Sequence, residues 1–254
     1  MAEPKTKTLF ISDLHLGEKT PELNQAFMAF LEEQSRQSET IDALYILGDF
    51  FVYWLGDDCI LPLHQQLAKQ LHAFAQHTPI YFMHGNRDYL VNEPFCKQAG
   101  MTLLNEYQVI DFYGTPTLLL HGDSLCTLDE GYQKLRRFLR HPITLWLASA
   151  LPASFKNGIA KKLSRDDHEP IDYTQVDKPE WDVVESTVRE TFRFFHVQHM
   201  IHGHTHRPAH HQYTTDQHTL NRYVLGDWGH KNSIWWLELH SDGRFQTVTK
   251  KLAA

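Results

Sequence analysis

The chain is poor in cysteine. Its three thiols, Cys59, Cys96 and Cys126, are widely spaced and odd in number, which argues against a disulfide framework or a zinc ribbon and for a reducing cytosol. Long apolar runs are also missing, with none near the ~18 residues a membrane-spanning helix needs. The opening residues MAEPKTKTLFISD hold no basic stretch followed by an apolar one, so no secretory leader is expected. Positive charge is in deficit: the formal net charge is −7, which speaks against a broad nucleic-acid-binding surface. With 254 residues, 42% of them hydrophobic, the chain can bury one sizeable core, and a single α/β domain with an insertion is the expectation.

Histidine, by contrast, is abundant: there are eighteen, several in short polar clusters. A lone histidine is usually a surface or satisfied core residue, but clusters with ligand spacing change that reading. Six short apolar runs each end in a polar, metal-competent residue. They are TLFISDLH (8–15), ALYILGD (43–49), IYFMHGN (80–86), TLLLHGD (117–123), MIHGHTH (200–206) and YVLGDW (223–228). Apolar runs of this length without alternation suit strands buried on both faces. Helical spacing of Leu23, Phe27, Phe30 and Leu31, and of Leu63, Leu67, Leu71 and Phe74, fills the first two gaps and predicts a layered α/β fold. In such sheets ligands gather beyond the carboxyl ends of the strands. The segment SIWWLELHSDGRFQTV reads as a closing hairpin turning at Ser241-Asp242-Gly243.

The polar residues at the ends of these runs suit a two-metal hydrolytic site. Such a site needs oxygen and imidazole ligands around two divalent ions ~3.5–4 Å apart, with one carboxylate bridging them. Asp13, His15, Asp49, Asn86, His121, His204 and His206 offer that set in chain order. Asp-x-His and His-x-His in an extended segment would each put two ligands on one face.

Asp13-Leu14-His15, Gly48-Asp49, Gly85-Asn86-Arg87-Asp88, His121-Gly122-Asp123 and Gly203-His204-Thr205-His206 resemble the signature of the calcineurin-like metallophosphoesterases. The variant with Arg87 after Asn86, with GDFF at 48–51, HGDSLCT at 121–127 and HGHTHRP at 202–208, is similar to the UDP-2,3-diacylglucosamine pyrophosphatases of lipid A biosynthesis. The resemblance implies an α/β/β/α sandwich with a helical lid inserted at 131–182. It implies Asp13, His15, Asp49 and His206 on one ion and Asp49, Asn86, His121 and His204 on the other, Asp49 bridging, with Mn2+ as the usual metal. It also implies substrate contacts from Asn86, Arg87, Asp129 and His204, with Asn86, Arg87 and His204 serving catalysis. The implied reaction is water attack on the α-phosphorus of a nucleotide-linked glycolipid, giving UMP and 2,3-diacylglucosamine 1-phosphate. This chain departs at Val52, where the family usually carries an acid. It departs again at 164–182, where the family's Arg, Ser and Lys contacts have no one-for-one match.

Residues 131–165 carry eight Lys or Arg and no Asp or Glu, interleaved with large apolar residues such as Leu135, Phe138, Ile143, Trp146 and Leu147. Pro142 and Pro152 divide the stretch into short helices. A charge run is by default a solvated helix face. Its mixture with apolar residues instead suits a lid meeting acyl chains and an anionic membrane surface, with the protein peripheral on the cytoplasmic face. Another calcineurin-like phosphodiesterase acting on a nucleotide or nucleic acid is the alternative, and a metal-free scaffold on the same fold a further one. No nucleic-acid partner is expected, and nothing in the sequence sets the oligomeric state.

Overall fold

A computed structural model describes residues 6–152, 155–156, 179–215 and 218–252. Of the lid expected at 131–182, residues 157–178 therefore lie outside the described residues, as do Lys161, Lys162 and Arg165. The first sheet contains β1 (Lys7–Ile11), β2 (Ile41–Leu47), β3 (Ile80–Met83) and β4 (Met101–Leu103), all parallel, with β10 (Ser233–His240) and β11 (Phe245–Lys251) antiparallel beyond β1. The second contains β5 (Tyr107–Phe112), β6 (Thr115–Leu120), β7 (His199–His202), β8 (Ala209–Thr214) and β9 (Thr219–Val224) in the order β5-β6-β7-β9-β8. Its three central strands β6, β7 and β9 are parallel, and its two edges are antiparallel.

Period-two alternation assigns each strand residue to a layer. Leu9, Ile11, Leu44, Ile46, Ile80 and Phe82 face outward and are covered by α1 (Pro21–Ser35), α2 (Pro62–Ala75) and α3 (Glu93–Ala99) through Phe27, Phe30, Leu67, Leu71 and Phe95. Phe10, Tyr45, Leu47 and Met83 face the other way and pack on Phe112, Leu119, Ile201 and Leu225 between the sheets. On the far face of the second sheet, Leu118, Leu120, Met200 and Leu220 meet Val188 and Phe192 of α6 (Glu185–Phe195). The result is the expected four-layer α/β/β/α sandwich. Each apolar run is buried on both sides because a second layer covers each face. The closing hairpin forms as read, whereas the short or polar strands β4, β5 and β8 lack the apolar runs that marked the others.

The stretch after β6 forms α4 (Glu130–Leu139) and α5 (Pro142–Ala150). Pro142 opens α5, where its missing N–H costs nothing, and Leu151 turns extended with ψ 137° before Pro152. Five large apolar residues of these helices point outward: Leu135, Phe138, Ile143, Trp146 and Leu147 are all more than half exposed. Arg136, Arg140 and Lys156 instead turn toward the body of the protein. Arg136 pairs with Glu106 and Asp123, Arg140 Nη2 donates to the Gly85 carbonyl at 2.9 Å, and Lys156 Nζ lies 2.9 Å from Asp58 Oδ1. The basic run is thus not uniformly a surface feature, because three of its cations bond to loops of the protein body.

Packing and exposure separate the two kinds of aromatic residue. Phe27 is fully buried against Phe50, and Phe27→Ala lowers unfolding free energy by about 3–5 kcal/mol. Phe138→Ala, at a ring 65% exposed, shifts it by less than about 0.5 kcal/mol. Urea denaturation of the two variants checks both values.

Candidate metal centre

All seven expected ligand positions converge at one end of the sandwich, just beyond the carboxyl ends of β1, β2, β3, β6 and β7. The backbone reaches this arrangement by an unexpected route. Asp13, His15, Asp49, His204 and His206 are left-handed, with φ of 56°, 51°, 51°, 68° and 54°. The Asp-x-His and His-x-His segments are therefore not extended. Left-handed backbone is sparsely populated for residues with a Cβ and persists only where its surroundings enforce it.

Here the neighbouring loops enforce it. Asp13 N donates to Gly48 O and His15 N to Asp49 O, both at 3.1 Å, so the loops after β1 and β2 stay paired beyond their strands. Asp88 is buried and clamps two loops, its Oδ1 accepting from Gly85 N at 2.7 Å and its Oδ2 from Phe50 N at 2.8 Å. Gly85 is required by close approach: a Cβ there would lie 2.1 Å from Asp49 Oδ1. Two acid side chains tie loops together, each at 2.9 Å: Asp49 Oδ1 accepts from Arg87 N within the first sheet, and Asp13 Oδ2 accepts from His204 N across the two sheets.

Within this frame the side chains form two groups. Asp13, His15 and His206 bring their ligand atoms within 4.8 Å of one another, and so do Asp13, Asp49 and His121. Asp49 reaches both ways, Oδ2 lying 3.4 Å from His15 Nε2 and Oδ1 3.7 Å from His121 Nε2. Asn86 Oδ1 is 3.0 Å from His121 Nε2 and 2.9 Å from His204 Nδ1, so three ligand-competent atoms meet at one point. His206 Nε2 is 3.3 Å from Asp13 Oδ1, and on its other side Nδ1 is 3.5 Å from Asp227 Oδ2.

The electrostatics are those of a site built for cations. Asp13 and Asp49 are both buried. Burial would raise both acids, but His206 beside Asp13, and His121 with His15 beside Asp49, hold both carboxyls well below the usual carboxylate range. Burial would likewise lower His121 and His206, yet Asp49 and Asp13 respectively raise them. Burial, with His121 nearby, pushes His204 down to about 4, which keeps a ligating lone pair available. Two features fit a divalent ion directly. Asp13 Oδ1 is buried with only His206 Nε2, at 3.3 Å and in poor hydrogen-bond geometry, beside it, and His121 faces an oxygen acceptor on each nitrogen, Leu47 O at 2.9 Å and Asn86 Oδ1. Nδ1–H donation to the carbonyl leaves Nε2 as the ligand atom.

Beside these groups lies a pocket of about 200 Å3 lined by Arg87, Asp129, Tyr132 and Trp181 together with Asp49 and His204. Arg87 Nε is 3.6 Å from Asp49 Oδ2, with the side chain one-third exposed. Asp129 caps α4, accepting from Tyr132 N at 2.8 Å. Tyr132, Trp181 and Asp227 were not singled out from the sequence. Asp227 carried a usable signal, since Gly226-Asp227 ends an apolar run as Gly48-Asp49 does. Tyr132 and Trp181 had none, because their positions depend on how α4 and the segment before α6 dock.

The calcineurin-like phosphoesterase family model matches residues 6–208. A UDP-2,3-diacylglucosamine hydrolase of Pseudomonas aeruginosa (strain UCBPP-PA14) is 46% identical over 239 residues, covering 94% of this chain and 97% of that protein. Proteins of the same name are similar at 42% over 242 residues in Stutzerimonas stutzeri (strain A1501), covering 94% and 97%, and at 44% over 231 residues in Shewanella halifaxensis (strain HAW-EB4), covering 90% and 92%. With the ligand-competent loops inside the matched region and relatives this similar along nearly its whole length, the chain belongs to the calcineurin-like phosphoesterases.

Proposed function

We propose that the chain hydrolyses the pyrophosphate bond of UDP-2,3-diacylglucosamine, releasing UMP and 2,3-diacylglucosamine 1-phosphate. The observation that carries this reading is the juxtaposition of the acid–histidine centre with a pocket lined by Tyr132 of α4, a helix that, with α5 after it, exposes large apolar side chains. Asp13, His15, Asp49 and His206 would hold one divalent ion and Asp49, Asn86, His121 and His204 the other, with Mn2+ as the metal. Asp49 would serve both ions, in keeping with its two oxygens facing His15 and His121. When bound, the ions supply Lewis acidity at the phosphoryl oxygens and lower the pKa of the attacking water.

The chain's own groups do the rest. Arg87 presents a planar, permanently charged fork to the phosphoryl oxygens, where negative charge grows as the bond to the bridging oxygen breaks. Asn86 and His204 orient the α-phosphate, and Asp129 on the pocket rim contacts the substrate. The departing sugar phosphate is a weak base, so no strong general acid is needed at position 87. The helices α4 and α5 serve as the lid, with Phe138, Ile143, Trp146 and Leu147 meeting the acyl chains. No helix among the described residues is long and apolar enough to cross a membrane. The exposed apolar surface of α4 and α5 is the part of the chain that would meet the cytoplasmic membrane face.

Asp49→Asn tests the bridging role, because asparagine tolerates the left-handed backbone that alanine would strain. Turnover falls by more than about a hundredfold and bound metal is lost while circular dichroism is retained. A variant that still holds two ions and turns over normally removes the central claim.

Arg87→Ala deletes the guanidinium but keeps the backbone bond from Arg87 N to Asp49 Oδ1. It lowers kcat about a hundredfold, or ~3 kcal/mol, without changing metal content. Unchanged kcat would assign Arg87 a structural role.

The lid is tested with two substrates. Trp146 and Leu147 are 68% and 54% exposed, so Trp146→Asp with Leu147→Asp leaves the fold intact. The double variant loses hydrolysis of the diacylated substrate, whose binding draws ~0.8 kcal/mol from each buried methylene. It keeps activity on a small chromogenic phosphodiester, which uses none of that energy. Equal loss on both substrates, or on neither, overturns the acyl-chain role.

A further inference from the structure

His202, the last residue of β7, is fully buried immediately before the His204 loop. Its ring joins two partners, with Nδ1 2.8 Å from the Gly203 carbonyl and Nε2 3.0 Å from Arg222 Nη1. A carbonyl only accepts and a guanidinium only donates, so Nδ1 carries the proton and Nε2 the lone pair. Arg222 on β9 is itself only 5% exposed, and its Nε donates to Tyr213 Oη at 2.8 Å. Both of these partners are uncharged, although a buried guanidinium is costly and normally meets a carboxylate.

The Gly203 carbonyl has a second task. It accepts from Thr205 N at 2.8 Å, closing a three-residue turn with His204 at its apex and φ at 68°. A turn of this size with positive φ at its centre is strained and needs its acceptor held still. Gly122 leaves the ring its place, since a Cβ there would come within 2.7 Å of His202 Nδ1.

We propose that Arg222 is a positioning residue for the metal loop: by donating to His202 Nε2 it locks the Nδ1–H tautomer, whose bond to Gly203 O holds the turn that aims His204 and His206. This rests on the reading of those two histidines as ligands. Without the Arg222 donor, the ring is free to carry its proton on Nε2. The Nδ1 lone pair then faces the Gly203 carbonyl, and the repulsion loosens the turn. Tyr213 acts one step further out by fixing the guanidinium.

Three readouts on the full chain test this: histidine 15N–1H correlation spectra of metal-free protein, Mn2+ titration calorimetry and thermal unfolding. Wild type shows His202 as Nδ1–H. Arg222→Met, which keeps the length but not the donors, gains an Nε2–H population and binds Mn2+ about 10–100-fold more weakly. Arg222→Lys keeps a donor and recovers most of both. A methionine variant with the wild-type tautomer, or one with lower Tm but unchanged Mn2+ affinity, overturns the proposal. If the methionine variant does not fold, Tyr213→Phe replaces it; a several-fold loss of Mn2+ affinity supports the relay and unchanged affinity overturns it. If wild type binds no Mn2+, the ligand reading fails, and the tautomer in Arg222→Met decides the positioning role alone.

Discussion

The left-handed backbone at Asp13, His15, Asp49, His204 and His206 is the constraint around which the rest of the molecule is arranged. Each such residue costs of the order of 1–2 kcal/mol relative to ordinary backbone. The side chains are, in addition, acids and imidazoles packed out of water. Neither cost is tolerable in an isolated loop. Both are accepted here because the loops are tied to one another by main-chain bonds, and because acid and histidine partially neutralise each other until a cation is bound.

The sandwich supplies those ties. The parallel strands of both sheets end on the same side, so the loop after β1 lies beside that after β2, and the loop after β6 beside that after β7. Gly203 N donates to His121 O at 2.8 Å, Leu225 N to His202 O at 2.7 Å and Trp228 N to Asp13 O at 3.0 Å, which extends the pairing past the strands and across the gap between sheets. The apolar layer of Phe10, Leu47, Met83, Leu119 and Ile201 holds the two sheets in register. The site is thereby tied into the core beneath it, as the ligands of a divalent ion require.

The helix α4 inverts the usual amphipathic arrangement. Tyr132, Arg136 and Arg140 face the protein, with the Tyr132 hydroxyl and Arg136 Nε each 2.7 Å from Asp123 Oδ2, while Leu135 and Phe138 face outward. Charged groups therefore fasten the helix to the loops carrying His121 and Asn86. The apolar groups are left exposed on the side away from the sheets. On the inner side, Tyr132 of this helix and Trp181 line the pocket beside the acid–histidine centre.

Much of this was legible in the residues themselves. Unbroken apolar runs ending in Asp, Asn or His marked both the buried strands and the candidate ligands that the structure brings together, because a strand covered on both faces has no polar positions until it leaves the sheet. Helical spacing located α1 and α2 for the same reason. The edge strands β5 and β8 were not legible, since an edge is half solvated and its sequence resembles a loop. Nor could spacing reveal that Asp13 and His15 converge through left-handed rather than extended backbone, because that choice is made by the bonds from Asp13 N to Gly48 O and from His15 N to Asp49 O. The sequence by itself determined which side chains can bind a cation and which strands carry them. Tertiary structure alone decided how they are aimed, which of the basic residues after β6 turn inward, and that Arg222 reaches His202, since each depends on groups far apart in the chain meeting across two sheets.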